Sequence, residues 1–174
     1  SGDISYAVKI ARYLSDDFQM FCGNDDITLP LLSLGASGVI SVWANIMPAA
    51  CHQMVTDYLE GRREQALKAQ LKYLDLINGL FTEVNPIPVK EAMNLMGMDV
   101  GGYRLPLCPM SSEHREKLAG IMRQAGLDGR SWLRWTDRMQ SCCGSLKKRM
   151  RRLIFPIQPC WIHWPIISAV LVRR

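Results

Sequence analysis

The chain has 174 residues, 48% of them hydrophobic and 21% charged, a balance that suits a folded globular domain and excludes collagen-like, coiled-coil and wholly disordered chains. Its formal charge of +5 is unevenly placed. Residues 1–127 carry 11 Lys+Arg against 14 Asp+Glu, a net of −3, and residues 128–174 carry 10 against 2, a net of +8. Four of the five Trp residues (Trp132, Trp135, Trp161 and Trp164) also fall in the second part, so the two parts are read separately.

From Ile4 the apolar positions Ala7, Val8, Ala11 and Leu14 keep helical spacing, and Ser15-Asp16-Asp17 stops that helix. Residues 18–22 form a short apolar run that predicts a buried strand, and Gly23-Asn24 follows as a turn. Asp25 and Asp26 open a second helix, where negative charge suits the N-terminus, and it runs to Leu34 before Gly35. Gly38-Val39-Ile40-Ser41-Val42-Trp43 predicts another buried strand. Alternation of helices with near-continuous apolar strands implies parallel strands covered by helices.

After Asn45 the alternation stops. Pro48 suits the first turn of a helix whose apolar face is Cys51, Met54, Val55, Tyr58 and Leu59, with Gly61 as its stop. Residues 62–81 predict one longer helix facing inward through Ala66, Leu67, Tyr73, Leu74, Ile77, Leu80 and Phe81. Asn85-Pro86-Ile87-Pro88 predicts an extended break, because a proline keeps its predecessor out of the helical region. A short helix from Val89 to Met96 ends at Gly97, and an irregular stretch follows Gly101-Gly102. Ser111 or Ser112 caps a last helix facing inward through Leu118, Ile121, Met122 and Ala125 before Gly126.

Few residues outside this pattern carry chemistry. His52 and His114 have no Cys or carboxylate partner at metal spacing, so no metal site is expected. Glu60, Glu64 and Asp75 read as a solvated face, as do Lys9, Lys68 and Lys72 on their helices. No G-x-G-x-x-G or P-loop string occurs, which leaves nucleotide binding without support. The six Cys are scattered without a C-x-x-C, and a chain of this size builds a core without disulfides, so reduced thiols and a cytoplasmic location are expected. Ser1 is not an initiator Met and no charged-then-apolar leader opens the chain; the expectation is a removed leader or a shortened N-terminus.

The tail reads differently. Leu153 to Val172 is 20 residues without a charge, flanked by the basic run of residues 147–152 and by Arg173-Arg174, the length and flanks of a membrane span. Pro156, Pro159 and Pro165 would break such a helix, so no membrane partner is expected. Cys160 and His163 with Cys142-Cys143 match no common zinc spacing, and the basic run offers phosphate contacts at most, with no nucleic-acid partner expected. The abrupt turn to Arg, Trp and Cys without any Glu is read as translation out of frame or read-through, giving an irregular tail without function.

The string Gly38-Val39-Ile40-Ser41-Val42 with Ala44-Asn45, the preceding Gly23-Asn24-Asp25, and the downstream Asn85-Pro86-Ile87-Pro88-Val89-Lys90 and Arg104-Leu105-Pro106-Leu107 stand in one order. Together they closely resemble the C-terminal half of the dihydrodipicolinate synthase family, of the pyruvate-dependent class I aldolase superfamily that includes N-acetylneuraminate lyase. The resemblance covers residues 1–127. It implies an α/β fold, the last strands and helices of a (β/α)8 TIM barrel followed by a three-helix C-terminal appendix. Residues 1–60 would end the barrel, residues 61–127 form a helical subdomain, and residues 128–174 the tail.

What the family does is implied in the same way. The intact enzyme condenses pyruvate with aspartate semialdehyde, through a lysine Schiff base and without a cofactor, as a likeness to cytoplasmic homotetramers of the diaminopimelate route to lysine. In the family that lysine stands in K-E-A just before a string matching Ser1-Gly2-Asp3, so the chain is expected to lack it and to hold no catalytic residue. Ile40 matches the position whose main chain contacts pyruvate, and Gly23 and Asn24 match the rim passed by the second substrate. The family often has Asp at Asn24 and a small residue or Thr at Trp43. Ile4, Ser5 and Leu34 match positions where two tight dimers meet. The chain alone is expected to be inactive, with unpaired strand edges that favour aggregation. Two other readings are a sister aldolase joining pyruvate to another aldehyde, and a non-catalytic half-barrel module whose basic tail binds a membrane or an anionic partner.

Overall fold

A computed structural model describes residues 2–127 and 168–171. Helix α1 (Ile4–Ala11) begins where Asp3 accepts a hydrogen bond from the Tyr6 amide. It stops a turn before Leu14, and Ser15 and Phe18 then exchange backbone hydrogen bonds in a tight loop. That loop shortens the first expected strand: β1 is Phe21–Cys22. A 3-10 turn at Asp25–Ile27 leads into α2 (Thr28–Ser33), and Gly35 closes it at φ 93°, a conformation open to glycine. Strand β2 (Gly38–Ser41) follows, and a second 3-10 turn, Trp43–Asn45, ends it sooner than expected because the amides of Val42 and Trp43 turn toward Asp25.

The helical layer comes next: α3 (Pro48–Leu59), α4 (Arg63–Lys72), α5 (Leu74–Gly79), α6 (Ile87–Leu95) and α7 (Ser112–Gln124). Gly61, at φ 85°, ends α3 as its position predicts. The single helix expected over 62–81 is two helices that break at Tyr73 (φ −104°, ψ 6°). The break changes which residues face inward. Gln70 and Leu76 are buried, while Leu67 and Phe81 are exposed. Gln70 is held inside because its amide donates to the Asp25 carbonyl at 2.9 Å. The proline-rich segment is not an extended break throughout: α6 starts at Ile87, and Pro88 sits in its first turn, where a missing N–H costs nothing. Ser111 caps α7, which buries Leu118 and Met122.

The strands form one sheet in the order β1-β2-β3. β1 and β2 are parallel, with Phe21 opposite Gly38 and Cys22 opposite Val39, as the alternation of elements implies. β3 (Ser168–Leu171) runs antiparallel along the other edge of β2, from Gly38 opposite Leu171 to Ser41 opposite Ser168. This corrects two expectations. The tail is not irregular at these four residues, and the outer edge of β2 is not unpaired. The segment Ser168-Ala169-Val170-Leu171 has no charge to hold in solvent, and its backbone satisfies donors and acceptors that the edge of β2 would otherwise leave open. The expectations on residues 142–163, including the cysteines and the basic run, lie outside the described residues.

The core gathers between the sheet and the helices. Val39, Trp43, Ile46, Met54, Val55, Leu76, Ile77, Leu80, Val89 and Leu118 are almost wholly buried. Trp43 lies against Tyr73 with ring centroids 5.2 Å apart and planes inclined at 40°, a tilted aromatic contact. No helix among the described residues is long and apolar enough to cross a membrane.

Candidate functional site

The parallel register sets Gly23 and Asn24 just beyond β1 and Ile40 on the neighbouring strand. Partners in β1 and β2 differ by 17 positions, and the same offset joins Asp25 to Val42. Gly23 therefore follows β1 at the level of Ile40, and Asn24 follows it at the level of Ser41. In parallel α/β sheets ligands collect at the carboxyl ends of strands, where loops rather than strands decide the chemistry.

Asp25 fixes this end. It is 1% exposed. Its Oδ2 accepts the Val42 amide at 2.9 Å and the Trp43 amide at 3.1 Å, and its carbonyl accepts from Gln70 Nε2 and from Thr28 Oγ1 at 3.0 Å. Three separate elements thus meet at one residue. Burial pushes the Asp25 carboxyl above its ordinary value, opposed by hydrogen bonds from Ser41 and from the two amides. Cys22 Sγ donates to the Asn24 carbonyl at 2.9 Å, which ties the rim to the strand. Burial raises the thiols of Cys22 and Cys51, that of Cys51 to about 12, so neither is a nucleophile near neutral pH.

Gly23 is exposed and Asn24 half-buried; a side-chain carbon added at Gly23 would meet nothing within 4 Å. Both line a cleft of about 150 Å³ against α1, with Asp3, Tyr6, Ile10 and Phe21 among its other walls. Ile40 is 41% exposed, on β2, and does not line that cleft. Ile4 and Ser5 stand exposed on the first turn of α1, and Leu34 is half-buried after α2. Sequence reasoning noticed Asp25 only as a charge at a helix start. The signal for more was its place directly after Gly23-Asn24, at the exit of one strand and level with the exit of the next.

A second polar group joins the helical layer. Glu83 Oε1 accepts from Ser111 Oγ at 2.9 Å and lies 2.8 Å from His114 Nδ1; these contacts, that of His114 first, hold the Glu83 carboxyl below its usual range. Serine, histidine and glutamate meet here without the order of a hydrolytic triad. Serine has one O–H to donate, and it goes to the carboxylate rather than to the imidazole. Glu91 accepts from Tyr103 at 3.2 Å and from Arg115 at 2.6 Å, and burial, with the nearby Glu91, pushes the Tyr103 hydroxyl up to about 12. Among the described residues no three His, Cys, Asp or Glu side chains are placed to hold a metal ion.

A parallel strand pair backed by helices makes this an α/β protein, and the solved structures it is similar to make the fold one of the TIM-barrel type. Residues 1–125 match the dihydrodipicolinate synthetase family, and the chain belongs to it. It is 50% identical over 127 residues to the 4-hydroxy-tetrahydrodipicolinate synthase of Thermoanaerobacter sp. strain X514, covering 73% of this chain and 43% of that protein. Among solved structures it is similar to dihydrodipicolinate synthase from Cyanidioschyzon merolae with lysine bound, at TM-score 0.70 and 38% identity, over 73% of this chain and 43% of that one. It is likewise similar to the chloride-inhibited enzyme from Acinetobacter baumannii complexed with pyruvate, at TM-score 0.68 and 37% identity, over 73% and 44%. The chain thus spans less than half the length of these relatives.

Proposed function

We propose that this chain supplies the C-terminal part of a (β/α)8-barrel lyase. The intact enzyme would condense pyruvate with L-aspartate 4-semialdehyde through a lysine Schiff base, giving 4-hydroxy-tetrahydrodipicolinate on the diaminopimelate route to lysine. The observation that carries this reading is the match of residues 1–125 to the dihydrodipicolinate synthetase family, a stretch in which Gly23 and Asn24 follow β1 and Ile40 lies on the neighbouring parallel strand. On this reading β1 and β2 are the last two barrel strands, and the helices after Gly61 are the C-terminal appendix. The main chain at Ile40 contacts pyruvate, Gly23 and Asn24 form the rim passed by the aldehyde, and Ile4, Ser5 and Leu34 lie where subunits of a cytoplasmic homotetramer meet.

In such a reaction a neutral lysine amine attacks the pyruvate carbonyl and water leaves; the iminium acidifies the adjacent methyl group, which loses a proton to give an enamine, and the enamine carbon then attacks the aldehyde. On this reading the described residues of this chain do not perform that attack. Among the described residues every lysine (Lys9, Lys68, Lys72, Lys90 and Lys117) lies on a helix rather than at a strand end. Their part is to shape the pocket wall, and Asp25 holds that wall by binding the first amides beyond β2.

Two experiments test the proposal. Incubation of the chain with pyruvate and borohydride is expected to leave its mass unchanged, and a stable pyruvate adduct would overturn the claim that it is inactive alone. Residues 2–127 exchanged for their counterpart in the Thermoanaerobacter synthase are expected to give an active chimera. A soluble, folded chimera without synthase activity would overturn the assignment itself.

A further inference from the structure

Among the described residues, the edge of β2 remote from β1 carries a strand that breaks the parallel pattern. A barrel of parallel strands closes only when each strand has a parallel neighbour on both sides. β3 takes the second side of β2 in the antiparallel sense, over all four residues of that strand, and also lies beside α3 and the Trp43–Asn45 turn. β3 comes more than forty residues after α7, so its seat on β2 is a long-range return of the chain and not a hairpin. Its segment is uncharged, and an uncharged extended segment pairs with an open sheet edge through its backbone.

We propose that the outer edge of β2 is an acceptor for one extended strand, and that residues 168–171 of the chain itself are a displaceable plug seated on it. The main-chain hydrogen bonds of such strand addition supply the binding, as in other cases where an extended peptide completes a sheet. The plug has a second consequence, which rests on the barrel reading proposed above. An antiparallel strand has no place in an all-parallel barrel, so seating of β3 and closure of a barrel at this edge exclude one another. The exchange experiment below does not depend on closure or catalysis, so either reading can fail alone.

Every second amide of Gly38–Ser41 faces β3, and successive amides of β3 alternate likewise. One proline of an Ala169→Pro/Val170→Pro double variant must therefore remove a donor on the side facing β2. Residue-resolved hydrogen exchange on the full chain, with and without that double change, reads the result. The β2 amides facing β3 are expected to exchange at least about tenfold faster in the variant, while those of α3 keep their protection. A synthetic peptide with the sequence of residues 166–174, added to the variant, is expected to restore the protection. Unchanged exchange at β2 would overturn the proposal, and so would loss at α3 as well, since a displaceable plug leaves the helical layer in place. Failure of the peptide to restore protection would overturn it too. Protection kept because the variant forms a dimer, seen as a doubled mass that falls on dilution, would reassign the edge to a second copy.

Discussion

Two carboxylates organise the two halves of the described fold, and they do so by opposite physics. Asp25 sits inside, at the exit of both parallel strands, with amides as its partners; desolvation wins over those hydrogen bonds and its proton is held more tightly than in water. Glu83 sits near the surface between the helices, with His114 and Ser111 as its partners; the hydrogen bonds win, and its proton is held less tightly. A multiply bonded carboxylate is thus no guide to the sign of its shift. How much water remains around it decides.

The largest expected effect is at the buried end. Asp25→Ala leaves the Val42 and Trp43 amides without their acceptor and is expected to cost about 3 kcal/mol in urea unfolding, from the usual penalty for buried unpaired groups. Asp25→Asn keeps an acceptor oxygen and should recover most of that loss; equal losses in the two variants would show that the charge, not the acceptor, holds the turn.

The pH dependence sharpens the contrast. Between the ordinary value of 3.8 and its raised folded value, Asp25 is more protonated in the folded chain, so its contribution to stability falls as pH rises through that window. Glu83 does the reverse: below 4.5 the unfolded chain holds the extra proton, so its contribution is full above 4.5 and is lost as pH falls through the lowered folded value. Unfolding midpoints measured from about pH 3 to 7 should show a steeper acid-side loss in Asp25→Asn and a shallower one in Glu83→Gln. Slopes moving together would break the comparison.

Thiol mapping gives a smaller signal. In the folded chain a maleimide is expected to modify Cys108, which is exposed, and to leave the peptides of Cys22 and Cys51 unlabelled until urea is added. The smallest effect belongs to the solvated surface. Lys68→Ala removes an i,i+4 pair with Glu64 at 3.0 Å, both side chains about three-quarters exposed, and should shift stability by no more than about 0.5 kcal/mol.

Much of this was legible in advance because it is local. The stops at Gly35 and Gly61 and the cap at Ser111 each follow from a few adjacent residues obeying φ or capping rules, and the parallel sense of β1 and β2 follows from the alternation of strand with helix. The candidate site residues Gly23, Asn24 and Ile40 were proposed by resemblance; the cleft beside α1 takes in Gly23 and Asn24 and leaves out Ile40. What escaped was non-local. Gln70 looks like a solvent-facing residue until Asp25 supplies a carbonyl 45 positions away. The helix over 62–81 shows no break in its periodicity, yet it turns at Tyr73, whose ring lies on Trp43. Nothing local in Ser168–Leu171 foretells pairing with β2, because an uncharged segment takes its partner from whichever edge lies open.

The contact between Trp43 and Tyr73 gives the fold an internal optical probe. The indole is fully shielded from water, stands at the exit of β2 and is the one tryptophan before residue 128. With Trp132, Trp135, Trp161 and Trp164 changed to phenylalanine, the remaining emission would report on this single point in the molecule. Excitation of tyrosine would pass to it over the 5.2 Å between the rings, so docking of the α4–α5 elbow onto the sheet could be followed in real time by light alone.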